Sequence, residues 1–265
     1  AKKELAKYGS VIFLGARPPV AMFGYADGIS RLTDPTDQRL IIMDLSLDVP
    51  AVLTKLAELV ETAPPLSRTS QREVMRPEKR PRSPTGSLNA SKLCAAIAVC
   101  QPAGAIVVDE SLTSGTAYWG HSRDCPPFSH LTLTGGAIGQ GPPLAVGAAT
   151  ACPNRRVINF QADGSGMYSL QALWTQARER LRVTTVICAN NKYEILKIEQ
   201  HKQGLPRSGA ATTGLCDIGI PVIDWVSLAA GLGVPAVKVD TCDELLHHLS
   251  HALTVDGPYL IEAKI

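Results

Sequence analysis

No stretch of the sequence approaches the roughly 18 consecutive apolar residues that a membrane-spanning helix requires. The most apolar runs are broken by Gly, Pro or charge within a turn or two. An excess of one charge is also missing: 26 Lys and Arg against 24 Asp and Glu leave a net +2. That balance gives no reason to expect nucleic acid or a membrane surface as a partner. The seven cysteines, at 94, 100, 125, 152, 188, 216 and 242, form no CxxC pair and no Cys/His cluster with zinc spacing. Several lie in apolar contexts such as 186–189, where a thiol behaves as a small buried hydrophobe. A disulfide framework is therefore not expected, and the expected compartment is reducing, the cytoplasm or an organelle interior. The N-terminus, Ala1-Lys2-Lys3-Glu4-Leu5, has no apolar segment of the secretory type. An initiator Met is absent too.

What is present suits a packed fold. The 265 residues are 45% apolar and 19% charged, which excludes disorder for most of the chain and allows one large domain, or one domain plus a piece of another. Residues 1–60 read as a partial α/β unit, with short apolar strands at 11–15 and 40–43 and a helix carrying apolar residues at 52, 53, 56, 57 and 60. Two strands and one helix cannot close a core, so a truncated domain is expected here. Residues 61–88 interleave Pro64, Pro65, Pro77, Pro81 and Pro84 with Arg68, Arg72, Arg76, Lys79, Arg80 and Arg82. They read as a solvated linker, with a basic arm for an acidic partner as the alternative.

From residue 89 to 265, strands and helices alternate. Strands are expected at 105–108, 131–133, 156–161, 183–189, 236–239 and 259–263. Helices are expected at 90–102, from 141, at 166–181, from 192, at 224–231 and at 242–254, with a helical turn near 115–121 and a loop at 203–219. Alternation of this kind predicts an α/β fold, a six-stranded, mostly parallel sheet covered by helices on both faces. Sites in such sheets form at the carboxyl ends of the strands.

Two of those loops carry the chemistry. Ala162-Asp163-Gly164-Ser165-Gly166 follows one strand and opens a helix. Its glycines allow close backbone approach to a ligand, and the free N–H groups and the Ser165 hydroxyl suit phosphate. Asp163 is a hard oxygen ligand placed to hold Mg²⁺ against that phosphate. Asn190-Asn191-Lys192-Tyr193 follows the next strand. Adjacent parallel strands set the two loops side by side, so the Asn190 amide oxygen and the Lys192 carbonyl can join Asp163 on one metal.

The pair Asp163-Gly164-Ser165 and Asn190-Asn191 resembles the thiamine-diphosphate motif of the acetolactate synthase and 2-oxo acid decarboxylase superfamily, with Ala162 in place of the usual first glycine. Further matches are Thr134 to Gly139 with Pro142 to Ala149, Asp109 to Gly115, and Gly257 to Glu262, so the likeness covers 89–265, the pyrophosphate-binding domain. Residues 15–25, Gly15 to Tyr25, resemble the end of the central domain of acetolactate synthase large-subunit-like proteins. The resemblance implies a thiamine-diphosphate-binding fold preceded by a central-domain piece (1–60) and a linker (61–88).

It also implies roles. Thr113, Ser114, Gly164 and Ser165 would hold diphosphate, while the Gly136 carbonyl and Ile138 side chain would fix the aminopyrimidine. Asp163, Asn190 and Lys192 would be the metal ligands, and Ile195 and Leu196 would face the substrate. The cofactors implied are thiamine diphosphate and Mg²⁺, and the reaction is C–C lyase or carboligase (transferase) chemistry on a 2-oxo acid. The activating Glu of the family lies in a pyrimidine-binding domain that nothing here resembles. Glu110, on the diphosphate side, does not replace it. The expectation is a chain inactive alone, working in a homo- or hetero-oligomer with a pyrimidine-domain-bearing chain or a lost N-terminal half. A non-catalytic assembly subunit derived from such an enzyme is the alternative. A dinucleotide-binding oxidoreductase does not fit, because glycines 135, 136, 139 and 141 do not follow GxGxxG. His121 reads as a surface residue, with a polar group near the site as the alternative, and His247, His248 and His251 receive no role.

Overall fold

The computed structural model describes residues 5–21, 23, 30–34, 36–37, 39–43, 46–62, 80–205 and 209–265. The chain divides into two units, Ala1–Met75 and Arg76–Ile265. In the first, β1 (Val11–Leu14) pairs in parallel with β2 (Leu40–Met43), Val11 opposite Leu40. The helix α1 (Val49–Thr62) follows and buries none of its residues. Among the described residues of this unit none is fully buried. Met22, Gly24 and Tyr25 of the central-domain resemblance, and residues 63–79 of the expected linker with its basic arm, lie outside the described residues.

The second unit runs α2 (Ala90–Cys100), β3 (Ile106–Glu110), a 3₁₀ turn (Leu112–Gly115), α3 (Tyr118–Ser122), β4 (Ser129–Thr132), α4 (Gly141–Ala151), β5 (Val157–Ala162), α5 (Asp163–Gly166), α6 (Ala172–Arg178), β6 (Val183–Ala189), α7 (Glu194–Lys202), α8 (Ala210–Cys216), α9 (Trp225–Gly231), β7 (Ala236–Val239), α10 (Cys242–Ala252) and β8 (Tyr259–Lys264). The six strands form one sheet in the order β4-β3-β5-β6-β8-β7. Every pairing is parallel, rather than most of them.

The central strand β6 is buried along its whole length, which is why its sequence is a continuous apolar and Thr run instead of an alternation. Successive side chains point to opposite faces. Val107, Ile158, Phe160, Val186, Cys188, Ile261 and Ala263 pack with α2, α3 and α10 on one face. On the other, Ile106, Val108, Val157 and Val183 meet α4, and Ile187 and Leu260 meet α6 and α9. The helix ends are capped. The Asn89 side chain accepts from the Lys92 N–H at the start of α2, and Thr241 and Glu244 form a reciprocal capping box on α10.

Several boundaries differ from the sequence reading. The helix expected at 166–181 is a four-residue turn of helix followed by α6 at 172–178. Between them the N–H groups of Ser169, Ala172 and Leu173 bond three residues back, while the Ser169 hydroxyl turns aside to a neighbouring loop. The expected loop 203–219 contains α8. Asp109 and Glu110, expected in the loop after the first strand of this unit, belong to β3. Residues 80–88, read as linker, are fastened to this unit. Arg80 donates to the carbonyls of Ala98, Val99 and Gln101 at the end of α2, and Lys92 Nζ donates to the carbonyls of Thr85 and Ser87.

Core and cap make distinct predictions. Leu245→Ala, at a fully buried position, is expected to cost about 2–5 kcal/mol, and Thr241→Ala about 1 kcal/mol. Both read out as a lower urea midpoint at unchanged m-value.

Candidate functional site

Strand order reverses at β3. The chain leaves β3 for β4 on one side, then returns to lay β5 on the other. The loops at the carboxyl ends of β3 and β5 therefore diverge, and a crevice opens between them. A small cleft lies there. Its lining comes from three loops: Thr113 and Ser114 after β3, Asp163 to Ser165 after β5, and Asn190, Lys192, Tyr193 and Ile195 after β6.

Asp163 is buried at the floor. Its Oδ1 accepts the Gly164 N–H at 2.8 Å, and Oδ2 accepts the Asn191 N–H at 2.6 Å, tying the loop of β5 to that of β6. Burial pushes its carboxyl up from the ordinary value, and the N–H groups of Asn191 and Gly164 oppose the shift. Ionisation of Asp163 is thus harder in the folded chain than in the unfolded one, and its contribution to stability falls as pH rises through that raised value. A cation beside the carboxylate would reverse the sign.

The β6 loop is shaped by its own bonds. Asn190 Oδ1 accepts the Lys192 N–H at 3.1 Å. Asn191 takes a left-handed conformation, φ 57°, which Asn tolerates better than most residues. The Asn191 carbonyl accepts from Ile218 at 2.9 Å, and Tyr193 donates its N–H to Cys216 at 2.7 Å, so the end of α8 braces the loop. The Tyr193 ring lies over Gly164, with its hydroxyl 3.3 Å from the Gly164 carbonyl. A Cβ at Gly164 would stand 2.4 Å from that ring. Here the glycine is required by packing rather than by φ. Ser165 Oγ accepts from Gln161 Nε2 at 2.8 Å beneath the cleft.

The structure thus gathers Thr113, Ser114, Asp163, Gly164, Ser165, Asn190, Lys192 and Ile195 around one cleft. Gly136, Ile138 and Leu196 are not part of its lining. Gly136 (φ 71°) sits in a loop of left-handed glycines, its carbonyl accepting the Ile138 N–H at 3.0 Å. Ile138 is 36% exposed and Leu196 43% exposed. Tyr193 and Ser169 were not singled out from sequence for the contacts they make. Tyr193 carried a signal, an aromatic residue directly beside the Asn pair; Ser169 carried none.

The donor set fits a hard divalent cation bound together with a phosphate. Each Asp163 oxygen accepts one N–H and keeps lone-pair capacity, and Asn190 and Lys192 add neutral oxygens. Among the described residues no three His, Cys, Asp or Glu side chains form a metal cage. A metal here would accordingly draw further ligands from the diphosphate itself. None of the cysteines forms a disulfide. Burial raises the thiol of Cys94 to about 12 and that of Cys188 well above its usual value, so neither supplies a thiolate nucleophile. His121 bonds Ser91, and His248 lies 3.4 Å from the Tyr259 hydroxyl, away from the cleft lining.

Gly164→Ala is expected to destabilise the chain by about 1–3 kcal/mol through overpacking against Tyr193. In the Tyr193→Ala background the same change should cost much less, a coupling readable in a double-mutant cycle of urea unfolding.

Residues 115–263 match the family model described as thiamine pyrophosphate enzyme, C-terminal TPP binding domain. The chain is 39% identical, over its full length, to half of a Mycobacterium tuberculosis protein provisionally named acetolactate synthase large subunit IlvX. It is 34% identical to a benzoylformate decarboxylase of Pseudomonas aeruginosa, over 70% of this chain and 35% of that one. The solved thiamine diphosphate-dependent 4-hydroxybenzoylformate decarboxylase of Rhodococcus jostii superposes with a TM-score of 0.74 at 27% identity, over 98% of this chain and 49% of that one. The chain spans half or less of the length of these relatives. With the parallel sheet and its cleft, the match gives one conclusion: the chain belongs to the thiamine pyrophosphate enzyme family and carries its C-terminal TPP binding domain.

Proposed function

We propose that this chain supplies the diphosphate- and Mg²⁺-holding side of an acetolactate synthase-like or decarboxylase-like enzyme. That enzyme would make or break the C–C bond beside the carbonyl of a 2-oxo acid. The observation that carries the reading is the convergence of Asp163, Asn190 and the Thr113-Ser114 turn on one cleft at the strand-order reversal. When bound, thiamine diphosphate supplies a nucleophilic carbon and an electron sink for the substrate carbonyl. The chain's own residues hold and shield it. Asp163, Asn190 and the Lys192 carbonyl take Mg²⁺ through oxygen. Gly164, Ser165, Thr113 and Ser114 receive the diphosphate, and the loop of Gly136 and Ile138 receives the aminopyrimidine. Ile195 excludes water from the cleft wall, with Leu196 beyond it toward the substrate.

The activating carboxylate is assigned to a pyrimidine-binding domain on a partner chain or N-terminal half, in a homo- or hetero-oligomer. The relatives matched are about twice as long as this chain or longer, in line with that division. A reducing compartment agrees with the seven free thiols. Among the described residues no helix is long and apolar enough to cross a membrane.

The test is calorimetric titration of thiamine diphosphate with Mg²⁺ into the chain, alone and mixed with the N-terminal half of the M. tuberculosis relative. Saturable binding is expected, weakened by about tenfold or more in Asp163→Ala and in Asn190→Ala. Turnover of pyruvate or benzoylformate is expected only in the mixture. Stable association with that half but no cofactor binding in either arm would sink the enzyme reading and favour a non-catalytic assembly subunit.

A further inference from the structure

The carboxylate of Glu110 has no part in the scheme above, yet it is 1% exposed. Among the described residues no Lys, Arg or His pairs with it. Burying a carboxylate without a cation is costly unless hydrogen bonds compensate. The compensation here comes from two backbone donors of one loop: Gly139 donates its N–H to Oε1 at 2.6 Å, and Gly141 donates to Oε2. Gly141 is the first residue of the eleven-residue helix α4, whose preceding Gln140 makes no side-chain cap. Glu110 therefore stands where a cap would, against the positive end of the helix.

The same loop is held from its other side. Ser169, just after the Asp163-Gly164-Ser165 turn, donates its hydroxyl to the Gly139 carbonyl at 2.6 Å. The fit allows no side chain: a Cβ on Gly141 would lie 2.3 Å from Gln161 Oε1 and 3.0 Å from Glu110 Oε2.

We infer that Glu110 is a positioning residue for the cofactor: its buried carboxylate clamps Gly139 and Gly141 and so fixes the glycine-rich loop that carries Gly136 and Ile138. This role rests on the function proposed above. It needs a carboxylate. Glutamine has one acceptor oxygen, and its NH₂ would face one of the two N–H donors. Aspartate is one methylene too short to keep both bonds.

The experiment has two readouts on the chain and its Glu110→Gln variant. One is amide hydrogen exchange at Gly139 and Gly141. The other is the dissociation constant for thiamine diphosphate with Mg²⁺ by calorimetry. Val107→Ala serves as the control, since Val107 is fully buried on the opposite face of β3. Glu110→Gln is expected to lose protection at both glycines and to weaken cofactor binding by about tenfold, 1.4 kcal/mol. Val107→Ala, with a comparable fall in Tm, should leave the dissociation constant unchanged. Wild-type protection in Glu110→Gln overturns the clamp. Lost protection with unchanged cofactor affinity, or an equal loss of affinity in Val107→Ala, overturns the positioning role. A wild-type chain that binds no cofactor even when mixed with the N-terminal half of the M. tuberculosis relative overturns the functional reading and the role together, while the exchange data still decide whether the clamp exists. If Glu110→Gln does not fold, Glu110→Asp is read by the same criteria.

Discussion

A parallel sheet whose strand order reverses must leave its loops pointing apart at the reversal, and in this chain that happens between β3 and β5. Much of what concerns function hangs on that constraint. The reversal creates the crevice; β5 ends where Asp163 enters it, while β3 ends in Glu110, outside the cleft lining and bonded to the glycine-rich loop. Neither carboxylate has a neutralising side chain beside it among the described residues, and each accepts two backbone N–H groups instead. Backbone donors cannot rotate away as a lysine or arginine can, so these carboxylates hold loops rather than merely balance charge.

The division of labour between them is unequal. Asp163 keeps lone-pair capacity toward the cleft, and burial makes its charge costly in the absence of a cation. Glu110 lies outside the cleft lining, with each oxygen on a backbone N–H of the glycine-rich loop. One suits a metal ligand, the other a fixture.

Much of this was legible in the residues. The apolar runs at 183–189 and 156–161 announce strands buried on both faces, and all six strands of the sheet were expected within a few residues of their positions. Asp163 and Asn190 could be paired from sequence because a strand-helix-strand unit sets consecutive loops side by side. Less legible was whatever depends on a partner distant in sequence. The helix expected across 166–181 breaks where Ser169 finds the Gly139 carbonyl, thirty residues away. The 3.6-residue apolar pattern had no way to register that bond. Gly136 and Ile138, read as holding the aminopyrimidine, lie in a loop of left-handed glycines at 135, 136 and 139, outside the lining of the cleft that gathers Asp163 and Asn190. Residues 80–88, rich in Pro and Arg, look like linker until Arg80 is seen to bond the free carbonyls at the end of α2.

The contact between Tyr193 and Gly164 bears on how such sequences diverge. At position 164 an aromatic ring occupies the space where a side chain would grow. The glycine of the diphosphate turn is thus constrained by packing as well as by any ligand, and the two positions cannot drift independently. A lineage that first loses the ring at 193 loses the packing barrier to alanine at 164, whereas the reverse order passes through a clash. Gly164 and Tyr193, 29 residues apart in the chain, should therefore behave as one evolutionary unit.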